Sequence, residues 1–219
     1  MPDERGTRLL KRTKTALTNP LFVSDLVLEK ALTWFWTAIF SLQCCMRGIP
    51  TGTALEIFGR CIIRKSPRSR IIIGSNVQII SSSWRSSTAN CGASKLRTFY
   101  ETASIIMSDH SGMTGGALIA RSKTIRIGKR CMLAPNVTIM DSDFHILWPP
   151  ARRHDTWETD MDKDVTLEDD VWVGTGSIIL KGVTIGQNSI IAAGSVVVAD
   201  IPPNCLAGGN PARVLRTFE

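Results

Sequence analysis

The chain has one tyrosine and three histidines in 219 residues, and nowhere does it hold an uncharged, strongly apolar run of 18. A bilayer-spanning helix needs about 20 apolar residues, so a true transmembrane segment is not expected. The first apolar run begins only after about 20 residues, which fits a cleavable signal peptide poorly. The cytoplasm is therefore the expected compartment. Cys44, Cys45, Cys61, Cys91, Cys131 and Cys205 include no C-x-x-C pair, and Cys44 and Cys45 are neighbours poorly placed to bridge. They read as reduced, mostly buried thiols. Only Trp84, Phe99 and Tyr100 interleave aromatics with the basic middle of the chain, and no nucleic-acid motif is present, so nucleic acid is a poor candidate partner. A G-x-S-x-G elbow is also missing, and no cysteine stands in a catalytic motif with a histidine. A covalent acyl-enzyme is not expected.

What the chain does have is a period of six. From Leu167 to Gly209 an aliphatic residue returns at Leu167, Val173, Ile179, Ile185, Ile191 and Val197. A second row of small or β-branched residues runs through Val171, Ser177, Val183, Ser189, Ser195 and Ile201. Six fits neither an amphipathic helix nor one alternating strand. It is the mark of a parallel β-helix of hexapeptides, because an even period keeps the strand alternation in phase from unit to unit. Ile71-Ile72-Ile73-Gly74-Ser75-Asn76-Val77 is an earlier unit, and Ile127, Leu133 and Ile139 give three more positions. The pattern lapses in a Ser-rich loop within 81–97, and again between Phe144 and Val165. That second lapse reads as a looped-out arm, and long loops of this kind are often functional.

Ahead of the repeats, Ser24 can cap a helix from Asp25 to about Cys45, stopped by Gly48 and Pro50. It is apolar on most faces and must be buried against something. Packing on the β-helix or on a neighbouring subunit is the first expectation. Shallow peripheral membrane contact is the second, with Trp34 and Trp36 at the interface and Lys11, Arg12 and Lys14 nearby. Residues 1–49 thus form a basic segment and apolar helix, and 50–216 a β-helix domain with its arm at about 144–165. Charge is uneven: 50–139 carry 13 basic and 3 acidic side chains, 140–219 carry 6 and 12. The basic middle could attract an anionic acceptor, a phosphate-bearing cofactor or an acidic membrane.

Val171-Trp172-Val173-Gly174, Ile178 to Gly186, Ala193-Gly194-Ser195-Val196-Val197 and Gly209-Asn210-Pro211-Ala212-Arg213 together resemble the C-terminal signature of the hexapeptide-repeat acyltransferases. The likeness is nearest to their maltose, galactoside and capsular-polysaccharide O-acetyltransferase branch, and covers roughly 71–216. It implies an all-β, left-handed parallel β-helix, a homotrimer, acetyl-CoA as co-substrate and a saccharide hydroxyl as acceptor. Handedness rests on the resemblance alone. The resemblance also implies an arm that covers an active site at a subunit boundary, and surface-polysaccharide biosynthesis as a setting.

His145, in Asp141-Ser142-Asp143-Phe144-His145, matches the family's general base. A neutral imidazole can take the proton of an attacking alcohol near pH 7. Asp141 or Asp143 could hold its ring in one tautomer. His110, Thr114 and Arg152 are candidate acceptor contacts. Trp172, Gly174, Thr175, Ala193 and Gly194 match positions lining the family's cofactor groove, and Arg213 and Arg216 stand where the nucleotide end would lie. Val198-Ala199 replaces the Thr-Lys pair common in relatives, so a phosphate contact is missing or supplied elsewhere. The γ-class carbonic anhydrases share this fold and bind zinc through three histidines. Their second ligand falls five residues after the first, where this chain has Pro150, so no metal is expected. The reading is direct acetyl transfer in a ternary complex. The alternatives are another small acceptor (serine, an amino sugar, an antibiotic) or a non-catalytic glycan-binding scaffold.

Overall fold

The computed structural model describes residues 20–86, 88, 91–155 and 158–219. The basic segment expected at the start of the chain falls largely in 1–19, outside the described residues. The described residues form one α-helix, α1 (Pro20–Met46), then nineteen short strands, with a 3₁₀ turn at Pro150–Arg152 between the eleventh and twelfth. Strands are dealt in rotation onto three faces of a prism. Face I holds β1 (Glu56–Phe58), β4 (Gln78–Ile80), β7 (Gly112–Thr114), β10 (Met132–Leu133), β13 (Trp172–Val173), β16 (Ile190–Ile191) and β18 (Cys205–Gly209). Face II holds β2 (Ile62–Arg64), β5 (Lys95–Thr98), β8 (Ala117–Ala120), β11 (Thr138–Met140), β14 (Ile178–Ile179) and β17 (Val196–Val197). Face III holds β3 (Arg70–Ile73), β6 (Ser104–Met107), β9 (Thr124–Ile127), β12 (Val165–Leu167) and β15 (Thr184–Ile185). Every pairing within these faces is parallel, so the chain is a parallel β-helix.

The register explains the period. Trp172 pairs with Ile190 and Ile178 with Val196, so each complete coil is eighteen residues, three hexapeptides. Both rows read from the sequence point inward: Leu167, Val173, Ile179, Ile185, Ile191 and Val197 are buried, as are Val171, Ser177, Val183, Ser189, Ser195 and Ile201. Each fully buried isoleucine contributes about 2 kcal/mol by leaving water. The buried serines take the corners and bond locally: Ser177 Oγ donates to the Ala192 carbonyl at 3.0 Å, and Ser189 Oγ to Pro202 at 2.7 Å. Strand order resumes after the Ser-rich loop at Lys95, within the stretch 81–97 where the sequence pattern lapses.

The two ends of the prism are closed differently. The helix begins at Pro20, earlier than Asp25; proline at a first helical position gives up no hydrogen bond and has the right φ. Phe40 and Cys44 reach from α1 into the same core as Ile57 and Cys61, so the helix closes the N-terminal end. Thr37 Oγ1 accepts the backbone N–H of Ile57 at 3.0 Å. At the other end β19 (Ala212–Thr217) lies antiparallel on β18. Burial pushes the Cys44 thiol up to about 11 and the Cys61 thiol higher still, so neither is reactive near neutral pH.

Candidate active site

The arm leaves the prism at the corner between faces II and III. Thr138 pairs with Ile178, forty positions on, where a plain coil needs eighteen. The surplus is the arm, and the sequence between β11 and β12 holds most of the candidate catalytic residues. A cavity of about 360 Å³ lies against it, lined among others by Asp143, His145, Trp148, Arg152, Met161 and Lys181.

Three buried polar groups hold the arm at its root. The Asp141 carboxylate accepts the backbone N–H groups of Arg121 at 2.6 Å, Ser122 at 3.0 Å and Lys123 at 2.8 Å, all from the corner one coil below. Burial pushes the Asp141 carboxyl above its ordinary value; those three donors pull it back, and the nearby Asp162 charge adds to the rise. Asp162, where the arm returns, accepts Ser122 Oγ at 2.7 Å and Arg121 Nη1 at 3.3 Å. The same Arg121 nitrogen donates to the Glu158 carbonyl at 2.8 Å. Removing one partner from such a buried ion pair leaves an uncompensated charge.

His145 is exposed at the cavity. Its Nδ1 lies 2.8 Å from the backbone carbonyl of Arg153. A carbonyl only accepts, so Nδ1 carries the proton and Nε2 is left with a free lone pair. The hydrogen bonds of the two expected aspartate partners run to other groups. Asp141 is spent on backbone groups, and Asp143 meets Lys181 Nζ at 2.5 Å. The ring is oriented by the arm's own backbone. Lys181, Arg121 and Asp162 were not singled out from sequence; Lys181 stands 38 residues from Asp143 and only the coil stacking joins them. Arg152 is at the cavity but engaged by Asp155 at 3.2 Å and by Glu158.

The other candidates lie on other corners. His110 is an exposed left-handed corner residue, φ 61°, between faces III and I, and Thr114 ends β7 on face I. Trp172 is on the outer side of face I, 45% exposed. Gly174, Thr175, Ala193 and Gly194 form two stacked corners between faces I and II, joined by Gly194 N–H to Thr175 O at 2.8 Å. A Cβ on Gly174 would fall 2.6 Å from the Ala193 nitrogen, whereas one on Gly194 would meet open space. The first glycine is demanded by coil stacking and the second leaves its backbone approachable. Arg213 and Arg216 are exposed on β19, with Arg216 over the Phe218 ring.

With the coils and this corner set out, comparison with known proteins is direct. Residues 164–199 match the family model for the bacterial transferase hexapeptide, six repeats. This stretch carries the hexapeptide repeat of that transferase family. It is 45% identical over 95 residues to a galactoside O-acetyltransferase of Lactococcus lactis, covering 43% of this chain and 44% of that one. To a putative acetyltransferase of Saccharomyces cerevisiae it is 40% identical over 114 residues, 52% and 56% of the two chains. The hexapeptide-repeat chain thus spans about half the length of the curated relatives it matches. Among solved structures, a polysialic acid O-acetyltransferase, OatWY, superposes with a TM-score of 0.59 at 23% identity over 77% of this chain and 81% of that one. The Bacillus cereus N-acyltransferase AntD, solved as a mutant with dTDP and coenzyme A, gives 0.58 at 18% identity over 78% and 84%. These likenesses carry the fold, a left-handed parallel β-helix.

Proposed function

We propose that this protein transfers the acetyl group of acetyl-CoA to a hydroxyl of a saccharide, with His145 as general base. The observation that carries the reading is the His145 ring: Nδ1–H is held by the Arg153 carbonyl, and Nε2 is free to accept the acceptor's proton. In the proposed step the alcohol oxygen attacks the thioester carbonyl while its proton passes to Nε2. Collapse of the tetrahedral intermediate breaks the carbon–sulfur bond, and the proton returns to the departing coenzyme A thiolate. Relatives named galactoside O-acetyltransferase and the apolar Trp148 and Met161 beside polar groups in the cavity support a saccharide acceptor, with surface-polysaccharide synthesis as its setting.

The stacked corners at Gly174–Thr175 and Ala193–Gly194 would carry the pantetheine arm, where Gly194 leaves open space. Trp172 would flank it, and the exposed guanidinium groups of Arg213 and Arg216 would meet its phosphates. Within one chain this groove and His145 stand on opposite edges of face II, roughly 15 Å apart by strand rise. That separation supports a homotrimer in which the base of one copy faces the groove of the next.

Calorimetric titration with acetyl-CoA tests the reading without knowledge of the acceptor. Saturable binding near one site per chain is expected, together with a solution mass of three chains. No binding at millimolar acetyl-CoA would overturn the transferase reading. A mass near 24.0 kDa would overturn the shared site.

A further inference from the structure

The helix that closes the N-terminal end has two apolar sides, and the β-helix covers only one. Phe40 and Cys44 go into the core, with Trp36 packed against it. On the opposite side Val27, Trp34, Phe35, Leu42 and Met46 are between 49% and 75% exposed. With Ala31 and Ala38 they make one continuous stripe at helical spacing, which no charged side chain interrupts. The helix's two carboxylates lie elsewhere. Glu29 is paired with Arg85 of the neighbouring loop, and Asp25 sits one turn before it on the same edge.

Cations border the stripe. Lys30 is exposed one turn before Trp34 and Arg47 is exposed at the helix end. The sequence just ahead of the helix adds Arg5, Arg8, Lys11, Arg12 and Lys14 against Asp3 and Glu4. Nothing in this charge pattern welcomes a second copy of the same surface, which would bring like charges together. An anionic bilayer would be attracted to it. Among the described residues no helix is long and apolar enough to cross a membrane. A helix about 40 Å long with one apolar face free can instead lie in the plane of the headgroups. The polar face that such helices usually turn to water is here replaced by the first coil of the prism.

We propose that the outer face of α1 docks the protein on an anionic lipid surface, with Trp34, Phe35 and Leu42 entering the headgroup region. The docking is independent of the acetyl-transfer chemistry, so either can fail alone. The test is flotation of the full chain with vesicles of phosphatidylcholine alone and of phosphatidylcholine mixed with phosphatidylglycerol. Flotation with the mixed vesicles, weakened by salt, is expected. Trp34→Glu with Leu42→Glu should lower the bound fraction about tenfold at an unchanged melting temperature. Should that pair fail to fold, Lys30→Glu with Arg47→Glu should abolish the preference for the anionic vesicles. The proposal is overturned if the full chain stays in the soluble fraction with every vesicle, or if either folded pair floats as the native chain does. A drop in solution mass in the Trp34 and Leu42 pair would overturn it too, by assigning the stripe to a second copy.

Discussion

The corner after β14 and the corner after β11 cross the same edge of the prism one coil apart, and they are built on opposite principles. After β14 the chain turns in four residues, Leu180 to Val183. Gly182 takes φ 78° and Val183 returns to the core. After β11 the chain leaves altogether, and its interior position is filled by a carboxylate, Asp141, buried on three backbone donors. The first corner is held by shape, the second by a polar clamp with little apolar contact. The tight corner contributes one side chain to the cavity, Lys181, while the clamp holds the arm that carries the histidine. Stability is thus expected to reside in the coils and chemistry in the arm.

The largest test of that division is His145→Ala. Acetyl transfer, followed by thiol release, should fall about a thousandfold, within the usual range for a general base, with no change in melting temperature; unchanged turnover would break the division. Next, Ile179→Ala in the strand that leads into the tight corner should cost about 4 kcal/mol in denaturant unfolding while the rate per folded molecule stays the same. Asp141→Ala should cost about 3 kcal/mol by leaving buried donors unpaired, and should also lower activity by loosening the arm. Its pH dependence has a definite sign. Burial raises the folded carboxyl above 3.8, so the stabilisation Asp141 supplies is greatest below that value and declines as pH rises through the raised one. The gap in stability between native and variant should therefore narrow from acid toward neutral pH. The smallest effect is expected for Gly182→Ala, about 1 kcal/mol from its positive φ, read as a shift in denaturant midpoint.

The coils were legible because the interior rows obey a local rule: every sixth side chain must face inward whatever the rest of the chain does. The arm obeys no such rule. Asp141 and Asp143 are two residues apart in sequence and equally plausible as partners for His145, yet one enters the core and the other meets Lys181. Which does which depends on the corners directly below and above, at Arg121–Lys123 and Lys181, and these come into register only once the arm's length is known. His145 was found through family likeness. Its tautomer was not, since the Arg153 carbonyl that sets it is backbone and carries no sequence signal. The helix was foreseen as apolar on most faces, but which side is spent on the prism emerges only from the burial of Phe40 and Cys44.

The bond from Ile57 to Thr37 Oγ1 has a meaning beyond the chain that contains it. A stack of parallel coils has no natural last rung: its terminal strand presents the same backbone groups that every internal strand uses to add the next, and another prism could continue the stack. By lying across the first rung with a hydroxyl on its N–H and an aromatic ring in its core, α1 converts an open-ended polymerisation surface into a stop. At the far end β19 runs against the direction of the coils and offers a parallel coil no matching ladder. The pattern that the middle of the chain repeats is thus closed by α1 on one side and by β19 on the other.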